Sequence, residues 1–505
     1  MRDARQIRTD GAICMARAGI GGVMGLAQLE RLFGIAMAAG ALGLAAPALA
    51  GDLTITPSVE VREAFSDNVD LDPDGAEQSA LVSELVPGVT IRSESARVTA
   101  ALDAFPIIRH QTAGEDEGLS LAGDLAGLGT VEAVEDLFFV DAQASVSQQV
   151  LDSRAAASTA NERTVQIYRV SPYLQNRFGG FAEAEARYRL SQVFADDEAT
   201  ASGGQTSDAT THALNLSLES GSDFSRLFWA VSSLVSEESR TEDDDVSRRE
   251  VDLEMRYAFD RSITLIAAGG YQFFDDGTSE NEVDGPTWRV GFRWRPGPRT
   301  DLEATYGQRD DDLNANVRFS YKIGPRTTLT ARYSEILEKS QERLVRNLSG
   351  IGLEGETDEI IDEETGLPFN PNPSPFDIDN RTTRTETFEL GVNGVRGRNT
   401  FGVNASFQTE KTESTGEEED VIRARARFSR RLTPHLTANL FAGYERTEFD
   451  DGEEDDEYTL TGALSYQIYS NLRAGLAYSL RLQNSNVDTS EFTENRVTAN
   501  LRITF

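Results

Sequence analysis

The last ten residues of the chain, R-V-T-A-N-L-R-I-T-F, alternate strictly between polar and apolar side chains. Successive side chains of a β-strand point to opposite faces, so these residues predict a strand with one polar and one apolar face. A strand of a membrane barrel has such faces, because one contacts lipid and the other a water-filled lumen. The pattern also fits an amphipathic strand of a soluble sandwich and does not decide between the two alone.

The final strand ends on an aromatic residue. Leu501, Ile503 and Phe505 lie on its predicted apolar face, and Phe505 is the last residue. Such an ending is similar to the signal read by the outer-membrane barrel assembly machinery. We therefore expect these three residues to serve as an assembly signal and that machinery to be a partner of the chain.

The first fifty residues differ in composition from the remainder. Residues 32–46 are apolar, Arg17 and Arg31 precede them, and A-L-A follows at residues 48–50. A basic start, a short apolar core and a small-x-small site are typical of a secretory signal peptide. We predict a signal peptide over residues 1–50 and a mature chain that begins at Gly51. The alternative is a buried helix of a soluble domain.

Composition excludes several classes of function. The net charge is −36 with a pI of about 4.5, so nucleic acid is not an expected partner. The single cysteine, Cys14, falls within the predicted signal peptide, which argues against thiol catalysis and cysteine-ligated metals. The three histidines form no H-E-x-x-H run and no Ser-His-Asp order. We predict no enzymatic activity, no cofactor and no metal site.

After residue 50 the chain repeats one unit of strand, polar loop, strand and short turn. Period-two alternation dominates, and no apolar run approaches the eighteen or so residues of a membrane helix. We predict an all-β fold for residues 51–505, a transmembrane antiparallel up-and-down barrel of about 22 strands. The glycine-rich stretch Leu119–Val131 is the weakest strand, and 20 strands are the alternative.

Loop length and charge follow the parity of the strands. Bacterial barrels have short periplasmic turns and long outer loops, whereas a soluble sandwich has no reason for this sorting. The acidic runs either bridge divalent cations to lipopolysaccharide or simply keep the strand ends solvated. The long acidic connections are residues 195–208, 237–245, 275–284, 412–420 and 448–457. The short, often basic ones are residues 260–262, 296–299, 324–326, 396–399 and 431–435.

Charged residues are concentrated on one face of several predicted strands. They cannot face lipid, where Arg or Lys costs about 2–4 kcal/mol at the midplane, so we expect them to line the lumen. Rings of arginine favour a path for anions, whereas arginine–glutamate ladders could merely pair and rigidify the barrel. The lumen-lining candidates are Arg248, Glu250, Arg289, Arg293, Arg423, Arg425, Arg427, Arg473 and Arg481.

The longest predicted loop runs from about Lys339 to Thr383. It contains the proline-dense sequence L-P-F-N-P-N-P-S-P-F at residues 367–376. A loop of this length is either disordered or functional. Our hypothesis is that it folds over or into the pore as a constriction.

Two motifs resemble a known family. S-V-E-V-R-E-A-F-S-D-N-V-D-L at residues 58–71 and D-L-F-F-V-D-A-Q-A-S-V-S-Q-Q at residues 136–149 are similar to the exosortase/PEP-CTERM system-associated outer-membrane proteins. The resemblance implies a Gram-negative outer-membrane barrel tied to exopolysaccharide production or to protein sorting at the envelope. That family offers no catalytic residues to carry over.

Two functions remain open. The first is a passive or gated outer-membrane conduit for exported exopolysaccharide. The second is a structural or docking barrel without transport activity. In either case the lipid bilayer and lipopolysaccharide are expected partners. Strand pattern begins at Leu53, so we expect no amino-terminal plug domain of the kind found in siderophore-type transporters.

Overall fold

The computed structural model describes residues 52–150, 153–158, 161–195, 208–241, 245–275, 283–309, 312–354, 359–363, 369–371 and 373–505. The predicted signal peptide, with Cys14, lies outside the described residues.

Strands dominate the described chain, as its period-two alternation predicts. The first half contains β1 (Asp52–Ser66), β2 (Ala80–Glu94), β3 (Val98–Gln111), β4 (Gly118–Val134), β5 (Phe138–Val150), β6 (Glu162–Phe178), β7 (Ala182–Phe194), β8 (Ala209–Ser220), β9 (Leu227–Arg240), β10 (Val246–Ala258) and β11 (Ile263–Asp275). The second half contains β12 (Val283–Gly297), β13 (Thr300–Arg309), β14 (Asp312–Gly324), β15 (Thr327–Lys339), α1 (Ser340–Ser349), β16 (Ile351–Leu353), β17 (Ile360–Asp362), β18 (Thr382–Arg396), β19 (Asn399–Thr412), β20 (Glu418–Arg431), β21 (Leu436–Glu448), β22 (Glu454–Tyr469), β23 (Leu472–Ser485) and β24 (Phe492–Thr504).

Twenty-two of these strands form one closed antiparallel sheet, and β16 and β17 form a separate hairpin. Each barrel strand pairs with its sequence neighbours, and β1 pairs with β24 from Ser58↔Thr504 to Ser66↔Arg496. Closure leaves no open edge, so every strand has a partner on both sides. The predicted strand number is confirmed. The glycine-rich stretch Leu119–Val131, the weakest of the predicted strands, forms β4.

The outward face is apolar and the inward face is charged. On β10 the outward residues Val251, Leu253 and Met255 are 54, 40 and 45% exposed. Glu250 and Glu254, which alternate with them, are only partly exposed. In a soluble protein leucine is usually buried and glutamate is usually exposed. On this strand the leucine is more exposed than the glutamates, which fits a surface that lies against acyl chains.

Long and short connections lie at opposite ends of the barrel, which we name the loop end and the turn end. The loop end carries residues 67–79 and 340–381, while the turn end carries two-residue turns such as 397–398 and 470–471. One loop-end connection is short, because β13 ends at Arg309 and β14 begins at Asp312.

Four of the five acidic loops are shorter than the sequence predicts. The runs at 237–245, 275–284, 412–420 and 448–457 are expected to lie wholly in loops, but β9 continues to Arg240, β12 begins at Val283, β20 begins at Glu418 and β22 begins at Glu454. The strands extend because arginines compensate the carboxylates. Arg446, for example, forms hydrogen bonds of 2.7 Å to Glu448 and 2.8 Å to Glu454.

The junction of β1 and β24 is fastened at the loop end by the S-D-N motif of residues 66–68, which we name the seam latch. Ser66 Oγ donates to Glu494 Oε1 at 2.6 Å. The Asp67 carboxylate accepts hydrogen bonds from the Asn495 backbone N–H at 2.7 Å and from its Nδ2 at 2.9 Å. These bonds join residues 428 positions apart, so the latch fastens the two ends of the barrel sequence.

The predicted assembly residues lie beside this junction. Leu501 and Phe505 point outward and are 47 and 72% exposed. The Phe505 backbone N–H donates to the Pro57 carbonyl at 2.9 Å, which extends the β1–β24 ladder to the last residue. Their role as an assembly signal stays a prediction.

A charge on the outward face should destabilise the barrel, whereas one on the inward face of the same strand should not. We expect Leu460→Arg to lower the free energy of unfolding by about 2–4 kcal/mol, because Leu460 is exposed to lipid. Thr461→Arg is the matched control, since Thr461 hydrogen-bonds Ser479 on the inward face. Denaturant titration in lipid vesicles measures both. Equal losses would contradict the assignment of faces.

Candidate functional site

The connection between β15 and β18, residues 340–381, is named the plug, and its described part lies in the lumen. Its helix α1 approaches β5, β6 and β7 as well as β15. Strands β6 and β15 are nine places apart in a ring of 22, so only an element that crosses the lumen can reach both. The hypothesis that this loop folds into the pore agrees with the described part of the plug.

Helix α1 is the only α-helix among the described residues, and its sequence explains where it begins. Lys339, the N-cap residue, donates its backbone N–H to Glu342 Oε2 at 3.3 Å. An acid at this third position satisfies a free amide and lies favourably at the helix N-terminus. In the described ranges no helix is long and apolar enough to span a membrane.

Apolar contacts hold the plug against one side of the barrel. Leu344 and Leu348 of α1 are fully buried in a cluster that includes Val165 and Ile167 of β6 and Val193 of β7. Burying a leucine side chain contributes about 1.5–3 kcal/mol. The same cluster takes in three isoleucines of the plug: Ile351, Ile360 and Ile378.

An ion pair holds the plug against the other side. Arg343 of α1 donates to Glu410 Oε2 of β19 at 2.8 Å, and both side chains are largely buried. The same guanidinium donates to the Asp377 carbonyl at 2.9 Å and to Ser340 Oγ at 3.2 Å. One arginine therefore connects α1, the returning arm of the plug and the barrel.

The returning arm contains a second buried acid, Asp379. Burial raises the pKa of this carboxyl above its ordinary value, and hydrogen bonds from Arg381 oppose the rise. Because burial in the packed plug raises this pKa, the carboxyl ionises as pH rises through it, and its ionisation destabilises the packed plug. Acid therefore favours the packed plug at this residue.

A second inward connection, residues 153–158 between β5 and β6, is tied to the plug. The Ser153 backbone N–H donates to Asp377 Oδ1 at 2.6 Å. Arg154 pairs with Asp451 at 2.7 Å and lies 4.4 Å from the ring centroid of Phe449. The plug, this connection and the β21–β22 loop thus form one network at the loop end.

Most of the predicted lumen-lining arginines bind carboxylates of the barrel wall, on the same strand or on a nearby one. The barrel wall is therefore an ion-pair lattice over much of its area, as the rigidifying alternative expects. The pairs join Arg248 with Glu250 at 3.4 Å, Arg293 with Asp301 at 2.6 Å, Arg423 with Glu445 at 2.6 Å and Arg481 with Glu457 at 3.3 Å. Arg289 pairs with Glu254, and Glu250 also receives Arg309 at 2.6 Å.

The remaining candidates differ. Arg473 donates to Gln467 Oε1 at 3.1 Å, and Arg425 lies 3.8 Å from Glu445. Arg427 has no hydrogen bond or ion pair within the described ranges and lies 6.0 Å from the ring centroid of Phe441. A functional role for the candidates as a set stays a prediction.

The two residues that anchor the plug were not found from the sequence. Arg343 lies in a helix within a predicted loop, and Glu410 lies in a run, T-E-K-T-E, that resembles a solvated strand end. No local pattern distinguishes a carboxylate that meets a distant arginine from one that meets water. The described residues also contain no group of three potential metal ligands.

Comparisons with known proteins agree with this architecture. A family model described as Gram-negative porin matches residues 112–341, and one described as "Putative beta-barrel porin 2" matches residues 397–505. The protein is a barrel of the bacterial outer membrane. A search of curated protein sequences finds no match.

Solved structures of outer-membrane transporters share the fold. The apoprotein form of the FrpB iron transporter (F5-1 variant) from Neisseria meningitidis is 10% identical with a TM-score of 0.50, over 89% of this chain and 81% of that chain. The siderophore receptor PirA from Acinetobacter baumannii is 9% identical with a TM-score of 0.49, over 89% and 80%. At these identities the likeness concerns the fold alone.

Removing the plug's ion pair should loosen α1. We expect Arg343→Ala to leave the Glu410 carboxylate buried without its partner, which costs about 3–5 kcal/mol at a buried site. Amide hydrogen exchange in α1 should then accelerate strongly, while exchange in the barrel strands stays unchanged.

The matched control for this variant is Arg346→Lys on the same helix. Arg346 pairs with the buried carboxylate of Glu338 at 2.7 Å, but the arginine side chain is 48% exposed and lysine keeps a positive charge beside Glu338, so the loss should be small. Protection of α1 that is equal in the two variants would contradict the anchoring role of Arg343.

Proposed function

We propose that the protein is a gated conduit of the outer membrane, and that the plug is the gate. The observation that carries the proposal is the position of the plug, which lies between opposite sides of the lumen and rises from two adjacent strands. Lys339 and Thr382, at its two ends, are direct Cα partners in the β15–β18 ladder. The barrel wall is therefore continuous without the plug, as a removable gate requires.

The contacts of the plug suit a gate that opens. Arg343, Asp377 and Asp379 are charged groups whose partners water can replace. Only a limited apolar cluster opposes undocking. Elements with few apolar contacts are those that open locally without global unfolding.

The cargo that we propose is an exported exopolysaccharide. Support comes from the two motifs that resemble exosortase/PEP-CTERM system-associated outer-membrane proteins, and from a large inward surface of paired charges. Alternating arginines and carboxylates offer many hydrogen-bond partners for sugar hydroxyls. The family matches to porins support a conduit in general, not this cargo.

The proposed partners follow from the location. The outward apolar face meets the lipid bilayer, and lipopolysaccharide lies beside the acidic loop end. The outer-membrane barrel assembly machinery is the proposed partner of the terminal strand.

The second candidate is a structural or docking barrel that never conducts. The ion-pair lattice favours it, because paired arginines and glutamates rigidify a wall without attracting a solute. In that case the plug is a permanent part of the interior.

Replacement of the plug separates the two functions. We expect the full-length chain to conduct little in planar bilayers, because the plug obstructs the lumen. A variant with residues 340–381 replaced by Gly-Ser-Gly-Ser should conduct steadily, since Lys339 and Thr382 already lie side by side.

A shorter deletion provides a graded control. Removing residues 354–379 leaves α1 in place and should raise the conductance less than the full replacement. If both variants assemble into heat-modifiable barrels and both stay silent, the conduit is refuted and the docking barrel is favoured.

A further inference from the structure

Four inward arginines stand apart from the ion-pair lattice: Arg169, Arg189, Arg425 and Arg427. Within the described ranges, Arg169, Arg189 and Arg427 form no hydrogen bond or ion pair. Arg425 has only Glu445 at 3.8 Å, and that carboxylate already holds Arg423 at 2.6 Å. Inward arginines without a carboxylate at hydrogen-bond distance are unexpected in a chain with 84 acidic residues.

Arg169 and Arg189 form the first pair, on β6 and β7. The Cα partners of Arg169 are Gln143 of β5 and Ser191 of β7, neither of which carries a charge. Its Nε is buried and has no hydrogen-bond partner. Arg189 lies two residues from Ser191, and its partner on β8 is Ala213. A buried guanidinium N–H without an acceptor costs about 1–3 kcal/mol, so a missing acceptor is indicated.

Arg425 and Arg427 form the second pair, two residues apart on β20. Alternate residues of a strand share a face, so the two side chains leave the same face of β20 from positions about 7 Å apart along the strand. A glycine lies beside each arginine, Gly443 beside Arg425 and Gly402 beside Arg427. The Cα partners on the flanking strands are Asn404, Gly443, Gly402 and Phe441, all uncharged.

The two pairs face each other across the lumen. Strand β7 is the seventh and β20 the eighteenth of the 22 barrel strands, which are eleven places apart in either direction. The lumen between these sides is narrow where α1 lies. Leu344 of that helix packs in the cluster with Ile167, and the adjacent Arg343 binds Glu410 of β19, so one helix, about 10–12 Å in diameter with its side chains, reaches both sides.

Both pairs lie directly on the turn-end side of the plug. Ile167, which packs in the plug's cluster, precedes Arg169 by two residues on β6. Arg423, which donates to the Pro373 carbonyl of the plug at 3.1 Å, precedes Arg425 by two residues on β20. Both strands run toward the turn end, so Arg169 and Arg425 are each the next inward position beneath a plug contact, and Arg189 and Arg427 lie beside them.

We propose that these four arginines bind the oxyanion groups of an extended anionic polymer that enters from the turn end. The planar guanidinium fork matches carboxylate and phosphate groups, and paired arginines two residues apart match a chain with repeating charges. The route of the polymer rests on the proposed conduit, whereas its binding does not. The polymer would meet this site immediately before the plug.

Direct binding tests the site on the full-length chain in detergent. The probe is a fluorescein-labelled oligogalacturonate of about ten units, followed by fluorescence anisotropy. We expect saturable binding that weakens about tenfold or more when Arg169, Arg189, Arg425 and Arg427 are changed to Gln, because several charge-assisted hydrogen bonds are lost.

A charge-matched control separates the site from general electrostatics. Changing Arg396, Arg398, Arg430 and Arg431 to Gln removes four charges from exposed positions at the turn end and should leave the affinity nearly unchanged. Equal losses in the two variants, or no saturable binding to the unmodified chain, would overturn the proposal. The double variants R169Q/R189Q and R425Q/R427Q, each checked for a heat-modifiable barrel, should each give a partial loss.

Competition distinguishes the sources of the oxyanion. Unlabelled oligogalacturonate or polyphosphate should displace the probe at far lower concentration than inorganic phosphate. Displacement by inorganic phosphate at equal concentration would overturn the assignment to a polymer. If the plug-free variant fails to conduct while arginine-dependent binding persists, the conduit falls and the site stands. If that variant conducts without arginine-dependent binding, the conduit stands and the site falls.

Discussion

Pairing of β1 with β24 is the interaction on which the rest of the structure depends. In a bilayer an unpaired backbone N–H or C=O has no water to bind, so a sheet survives there only when it closes on itself. Closure fixes which face of every strand looks outward. Because a one-residue slip would exchange the two faces, the seam latch at Ser66 and Asp67 also protects the register of the junction.

Closure creates an interior that must be filled or kept wet. Twenty-two strands enclose a space too wide for the inward side chains alone to fill. The chain fills part of it with its own plug and lines the remainder with charge. In most of the lining each arginine is neutralised by a carboxylate of the barrel wall. Arg169, Arg189, Arg425 and Arg427 are exceptions, and these four lie beneath the plug.

The barrel strands could be predicted from the sequence more completely than the contacts of the plug inside the lumen. Alternation depends only on the residue and its neighbours, so 22 strands, their outward faces and the long plug loop could be predicted from the chain. The strand ends at Arg240 and Glu454 could not, because ion pairs neutralise the acidic runs there: Arg240 pairs with Glu238 on its own strand, and Arg446 pairs with Glu454 across two strands. The anchors of the plug were also missed. Arg343 and Glu410 meet across 67 residues, and nothing in either local sequence records the other.

Because the plug leaves and re-enters the wall at two hydrogen-bonded neighbours, it is an insert in an otherwise complete hairpin. Its sequence can diverge, lengthen or be exchanged for another without disturbing a single strand register. Related barrels could therefore have the same strands and differ in permeability through the plug alone. The same property makes the chain a host for foreign inserts that would give a synthetic pore a gate of chosen specificity.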